Sequence, residues 1–184
     1  ACGSGRLSLA EYVEEIDAIQ SRAHQQYAVL IASPEGEVLA AEGEQLLEFT
    51  PQDLQVGLER VAELQDEVLD AINGLDPPDS IVDLHELFYR RLPIEELAAR
   101  AGTAANWEEL SDSSEMTAYR DQLASDRVVC SDFQATLDDI ENRGVFVDVP
   151  WVPSELVEIA DDALSCEALP DNPQDMYRPP PSSS

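Results

Sequence analysis

Apolar residues return every three or four positions in four long stretches of this chain, and proline or glycine stops each stretch. That spacing lines one face of an α-helix, whereas a half-buried strand would need strict alternation. The first stretch, 8–31, places Leu9, Tyr12, Val13, Ile16, Ile19, Ala23, Tyr27 and Leu30 on one face. Ser8 with Glu11 three residues later is a capping box at its start. Ser33-Pro34-Glu35-Gly36 breaks the run, and 34–49 read as a loop or a poor helical continuation. Thr50-Pro51-Gln52-Asp53 opens the second stretch with a threonine cap, a proline in the first turn and an acid at the positive end of the helix dipole. Leu54, Leu58, Val61, Val68 and Ile72 follow, and Asn73-Gly74 ends it.

A third helix is expected after Asp76-Pro77-Pro78, carrying Ile81, Leu84, Leu87, Phe88 and Leu92. Pro93 should end or kink it before another turn or two to Arg100. The fourth long helix spans about 114–142, with a stripe of Met116, Tyr119, Leu123, Cys130, Phe133, Leu137 and Ile140 and a closing Gly144. Residues 101–113, around Trp107, read as irregular, and the β-branched run Val145–Val149 as an extended segment bounded by Pro150 and Pro153. A last helix is expected over about 153–167. The fold class is therefore all-α, an antiparallel bundle of four to five helices with irregular proline-rich connections. The bundle occupies 8–168, between an N-terminal tether over 1–7 and a Pro/Ser-rich tail over 169–184.

Charge narrows the functional classes. Among 184 residues, 39 are acidic and 10 basic, all arginine, for a net charge of -29. A nucleic-acid binder needs a positive face against phosphate, so that partner is excluded. Electrostatic attachment to anionic lipid is disfavoured for the same reason. No run of about 18 apolar residues exists to span a bilayer. The lysine-free composition fits either a GC-rich genome or a salt-adapted envelope protein.

Ala1-Cys2-Gly3-Ser4-Gly5 resembles the junction of a bacterial lipoprotein. There a small residue precedes a cysteine that is lipidated and becomes the mature N-terminus, and a flexible tether follows. The missing initial Met is read in the same sense, as a processed or trimmed start. The resemblance implies a diacylglyceryl group on Cys2, with or without a third acyl chain, and no other cofactor. It implies a protein on the outer face of the cytoplasmic membrane or in the periplasm. Two or more chains give lasting anchorage where one does not. With Cys2 set aside, Cys130 and Cys166 remain as a pair. In an oxidising compartment they are expected to join; the alternative is two buried free thiols.

Pro77-Pro78 ahead of His85, followed by the Cys130 helix and Gly144-Val145-Phe146-Val147-Asp148, resembles the layout of small helical lipoproteins of Actinobacteria and Chloroflexota. Those chains often carry a further cysteine just after that stretch. Trp151 stands there here, and Cys166 comes later. The resemblance brings no activity with it.

No catalytic residue is assigned. His85 has Ile81, Val82, Phe88 and Tyr89 at its helical neighbours, so no Glu-x-x-His or His-x-x-x-His ligand set forms, and it reads as a capping or core histidine. A site uniting His85 with His24 is the weaker reading. Asp171-Asn172-Pro173-Gln174-Asp175 lacks the glycine and closing glutamate of a calcium loop, and no metal ligand is assigned. No nucleophile elbow or phosphate loop occurs. The aromatics in irregular segments, Trp107 and Trp151, with Tyr177 and Arg178 of the tail, read as partner-binding residues. The expectation is a non-catalytic, lipid-anchored extracytoplasmic protein, an accessory or structural subunit docked on other envelope proteins. The alternative is a free surface lipoprotein that binds a small ligand or metal ion between helices.

Overall fold

The computed structural model describes residues 6–164, 166 and 172–178. Cys2 and the rest of 1–5, Asp171 of the acidic tail run, and the prolines at 179–181 lie outside them. The fold is an all-α helical bundle: α1 (Leu9–Ile31), α2 (Pro51–Asn73), α3 (Val82–Leu87), α4 (Ile94–Thr103), α5 (Trp107–Ser111), α6 (Ser114–Asn142) and α7 (Val152–Leu164). Short 3-10 turns occupy Glu37–Ala40, Gly43–Glu48, Asp79–Ile81 and Pro173–Asp175. No strand occurs among the described residues.

Local signals start the long helices where expected. Ser8 N donates to Glu11 Oε2 at 2.9 Å while Glu11 N donates to Ser8 Oγ at 3.3 Å. At α2, Thr50 N donates to Asp53 Oδ2 at 2.7 Å and Asp53 N returns to Thr50 Oγ1 at 3.3 Å. These backbone donors hold both carboxyls below their usual range, since an N–H favours the ionised form. Gly144, at φ +75°, closes α6, and its N–H reaches Glu141 O at 2.8 Å.

The chain packs as two compact units. The first draws its described residues from 6–24, 67–90 and 126–166, the second from 25–66, 91–125 and 172–178. In the first, Tyr12, Val13 and Ile16 of α1 meet Ile72, Leu84, Phe88, Phe133, Leu137, Ile140, Leu156 and Ile159. In the second, Leu54 and Leu58 of α2 pack with Leu97, Ala98, Ala101, Trp107, Leu110, Met116, Tyr119 and Leu123. Arg6 and Leu7, at the end of the expected tether, are already tied to the first unit. Leu7 N donates to Asp76 O at 3.2 Å, and Arg6 pairs with Asp76 and Asp79.

Three expectations are corrected. The third helix is only Val82–Leu87 rather than running to Leu92. A residue before proline avoids helical backbone, and Gln65 takes up both polar groups of Leu92: Leu92 N donates to Gln65 Oε1 at 2.9 Å, and Gln65 Nε2 donates to Leu92 O at 3.2 Å. Residues 101–113 are largely helical. Asn106 caps α5 by accepting from Glu109 N at 2.9 Å, and Glu109 Oε2 accepts from Ala105 N at 2.9 Å. Val145–Val149 is a chain of turns, not an extended segment. Val149 N bonds Phe146 O and Val152 N bonds Val149 O, both at 3.0 Å, while Phe146 drops into the first core. Without a partner strand, β-branched composition does not decide conformation.

Gly36 sits where the chain turns back after α1. A Cβ there would land on the Leu30 carbonyl oxygen, which is backbone and cannot swing aside. Gly36→Ala is expected to destabilise the protein by about 2–3 kcal/mol through forced backbone displacement. Urea unfolding checks this; a change within a few tenths would contradict the turn.

Candidate functional site

The sequence-assigned partner residues meet different fates. Trp107 was expected to be exposed but is 7 % accessible, and its indole Nε1 donates to Phe49 O at 2.9 Å. The Asn106 cap folds its segment into a helix and turns the ring into the second core. Tyr177, assigned to partner contact from the tail, is 8 % accessible within its own chain, with its ring beside Tyr119 at 6.5 Å between centroids. Arg178 is exposed and pairs with Asp175 at 3.5 Å. Trp151 remains 42 % accessible, and Val147, four residues earlier on the turns that follow α6, is 76 % accessible. These two present apolar surface on the first unit, the kind of feature that marks contact sites when it gathers into a patch.

The disulfide lies in the same unit. Cys130 of α6 is joined to Cys166, just beyond α7, with Cα atoms 5.9 Å apart. Partly buried Cys130 and Cys166 both pack against the first core.

His85 reaches Tyr12, with Tyr12 Oη and His85 Nδ1 3.0 Å apart. The rings meet edge to face at 5.7 Å, and Tyr89, two residues past the end of α3, lies 6.3 Å away, its hydroxyl donating to Leu69 O at 3.0 Å. Burial pushes His85 below its usual range, against an opposing pull from Glu86, and burial raises the Tyr12 phenol. The pair pins α1 to α3 as a core histidine does. His24 is exposed, and among the described residues no group of three His, Cys, Asp or Glu side chains is placed to hold a metal ion.

A native His85 that binds its proton less readily than the unfolded chain favours folding above the unfolded value of 6.5, and that contribution is lost as pH falls through the lower folded value. The stability difference between wild type and His85→Gln should therefore shrink between pH 7 and pH 5. Equal differences at both pH values would show that folding does not make His85 harder to protonate.

One cluster had no sequence signal. Arg120, on α6, is buried, with Nε 3.1 Å and Nη2 2.5 Å from Met176 O, Nη1 2.9 Å from Ser111 O and Nη2 3.0 Å from Ser111 Oγ. Burial and the nearby Arg178 lower its affinity for a proton, while Asp112 and Asp175 oppose this. The guanidinium fixes the segment 172–178 to the second unit. Comparison with protein-family models, curated proteins and solved structures finds no match.

Proposed function

We propose that the protein is a non-catalytic, extracytoplasmic binding protein, anchored by lipid on Cys2 and docked as an accessory subunit on a membrane-associated complex. The Cys130–Cys166 bridge carries this reading, because such bonds persist in oxidising compartments and the pairing leaves Cys2 as the remaining thiol. The Gly-Ser-Gly run after Cys2 supplies the spacing a lipid hook needs. Trp151 and Val147, the exposed large apolar side chains around the turns that follow α6, offer the docking contact, with the indole as the residue type most enriched at binding hot spots. The net charge of -29 supports binding to protein rather than to lipid headgroups.

Extraction of native membranes in mild detergent tests the docking. The wild-type protein should elute with a larger assembly, and a Val147→Ser, Trp151→Ala double variant should elute alone. A wild-type protein that already runs alone contradicts the accessory role; a variant that stays in the assembly removes this corner from it.

A further inference from the structure

The segment 172–178 behaves chemically like a bound peptide. Its shape is made locally: Asn172 Nδ2 bonds Asp175 Oδ2 at 2.7 Å, Met176 N bonds Pro173 O at 3.2 Å and Arg178 N bonds Asp175 O at 3.1 Å. The body grips it through a main-chain atom, the Met176 carbonyl held by Arg120, a contact that does not depend on side-chain identity. Gln174 adds a bond to Asp121 at 3.4 Å. Specificity rests on Tyr177, whose ring enters the second core beside Tyr119. Tyr177 holds φ at +51°, a left-handed conformation that a non-glycine residue adopts at a cost, and leaving the slot releases it. The seated segment is a compact 3-10 turn held by a main-chain clamp at Met176 and one aromatic anchor at Tyr177.

We infer that Arg120, Ser111 and Tyr119 form a peptide slot that holds the chain's own segment 172–178 as a removable occupant, and that the same segment of a second copy of the chain takes the slot in trans. The seated sequence defines the ligand: a carbonyl offered to a guanidinium, followed at once by a large aromatic side chain. The inference stands on the second unit alone and does not depend on the lipid anchor.

Two complementary full-length variants test it. Tyr177→Ala leaves a slot without its plug, and Arg120→Gln leaves a plug without its clamp. A labelled peptide spanning residues 172–178 should bind Tyr177→Ala at least about ten-fold more tightly than wild type, where the tethered segment competes at millimolar effective concentration. The same peptide carrying Tyr177→Ala should not bind. Tyr177→Ala and Arg120→Gln chains should each sediment as monomers, and their mixture should form a one-to-one complex. Failure of the peptide to bind overturns the slot. So does loss of helical signal in Tyr177→Ala, because the segment would then be an integral part of the core. Peptide binding without association of the two variants overturns the second-copy occupant.

Discussion

Replacing Cys130 and Cys166 by serine will lower the unfolding free energy by about 4 kcal/mol, the loop-closure entropy of a bond spanning 36 positions. The bond acts on the unfolded chain, where it forbids α6 and the stretch beyond α7 from separating. It acts on the native state as well, because both sulfurs lie against the first core and two serine hydroxyls would replace apolar surface. At about 2–4 °C per kcal/mol for a chain of this size, the melting temperature should fall by about 10 °C. Thermal unfolding of oxidised, reduced and Ser/Ser protein separates the contributions. The reduced chain should melt well below the oxidised one, and the Ser/Ser chain lower still, by the cost of setting two hydroxyls against the core. Coincident melting of all three would mean that the bond constrains nothing the fold does not already hold.

Phe133→Ala will cost about 4 kcal/mol, near the upper end for a single core truncation. Phe133 is buried in the first core, and its ring meets Phe88 edge-on at 5.3 Å between centroids. Truncation loses the transfer free energy of the ring, leaves a cavity between α6 and the end of α3, and removes an aromatic pair worth about 1 kcal/mol beyond its area. Phe133→Leu, which keeps most of the volume, should cost about 1.5 kcal/mol or less. A cycle with Phe88→Ala should return a coupling of about 1 kcal/mol. Additive losses would show that the two rings do not share a packed contact.

The long helices were legible because their signals are local. Ser8 with Glu11 and Thr50 with Asp53 cap helices that begin at the next residue, and the stripe from Met116 to Ile140 lies on one helix from Ser114 to Asn142. α4 runs past its expected end at Arg100 because half of its buried face is alanine. Ala98 and Ala101 carry little hydrophobic signal, although they favour helix and permit close approach. α5 had a readable signal in Asn106 and Glu109, a cap with its acid three residues on, and recognising it would have placed Trp107 indoors. The sequence offered no route to the Tyr12–His85 contact, 73 positions apart, or to Arg120 and Met176, 56 apart. Each depends on which faces the packed helices turn toward one another, and an arginine beside a helical stripe looks the same whether it meets water or a carbonyl. The turns at Val145–Val149 failed in the opposite way, as β-branched residues with no strand to pair with.

The lipid anchor and the compartment stand or fall on the covalent state of three cysteines. Intact-mass spectrometry of the protein extracted from its own membranes reads all three together. The predicted species carries diacylglyceryl, with or without a further acyl chain, on Cys2, and lacks the two hydrogens given up by Cys130 and Cys166. A chain with an unmodified Cys2 and two free thiols would contradict both the hook and the oxidising surroundings.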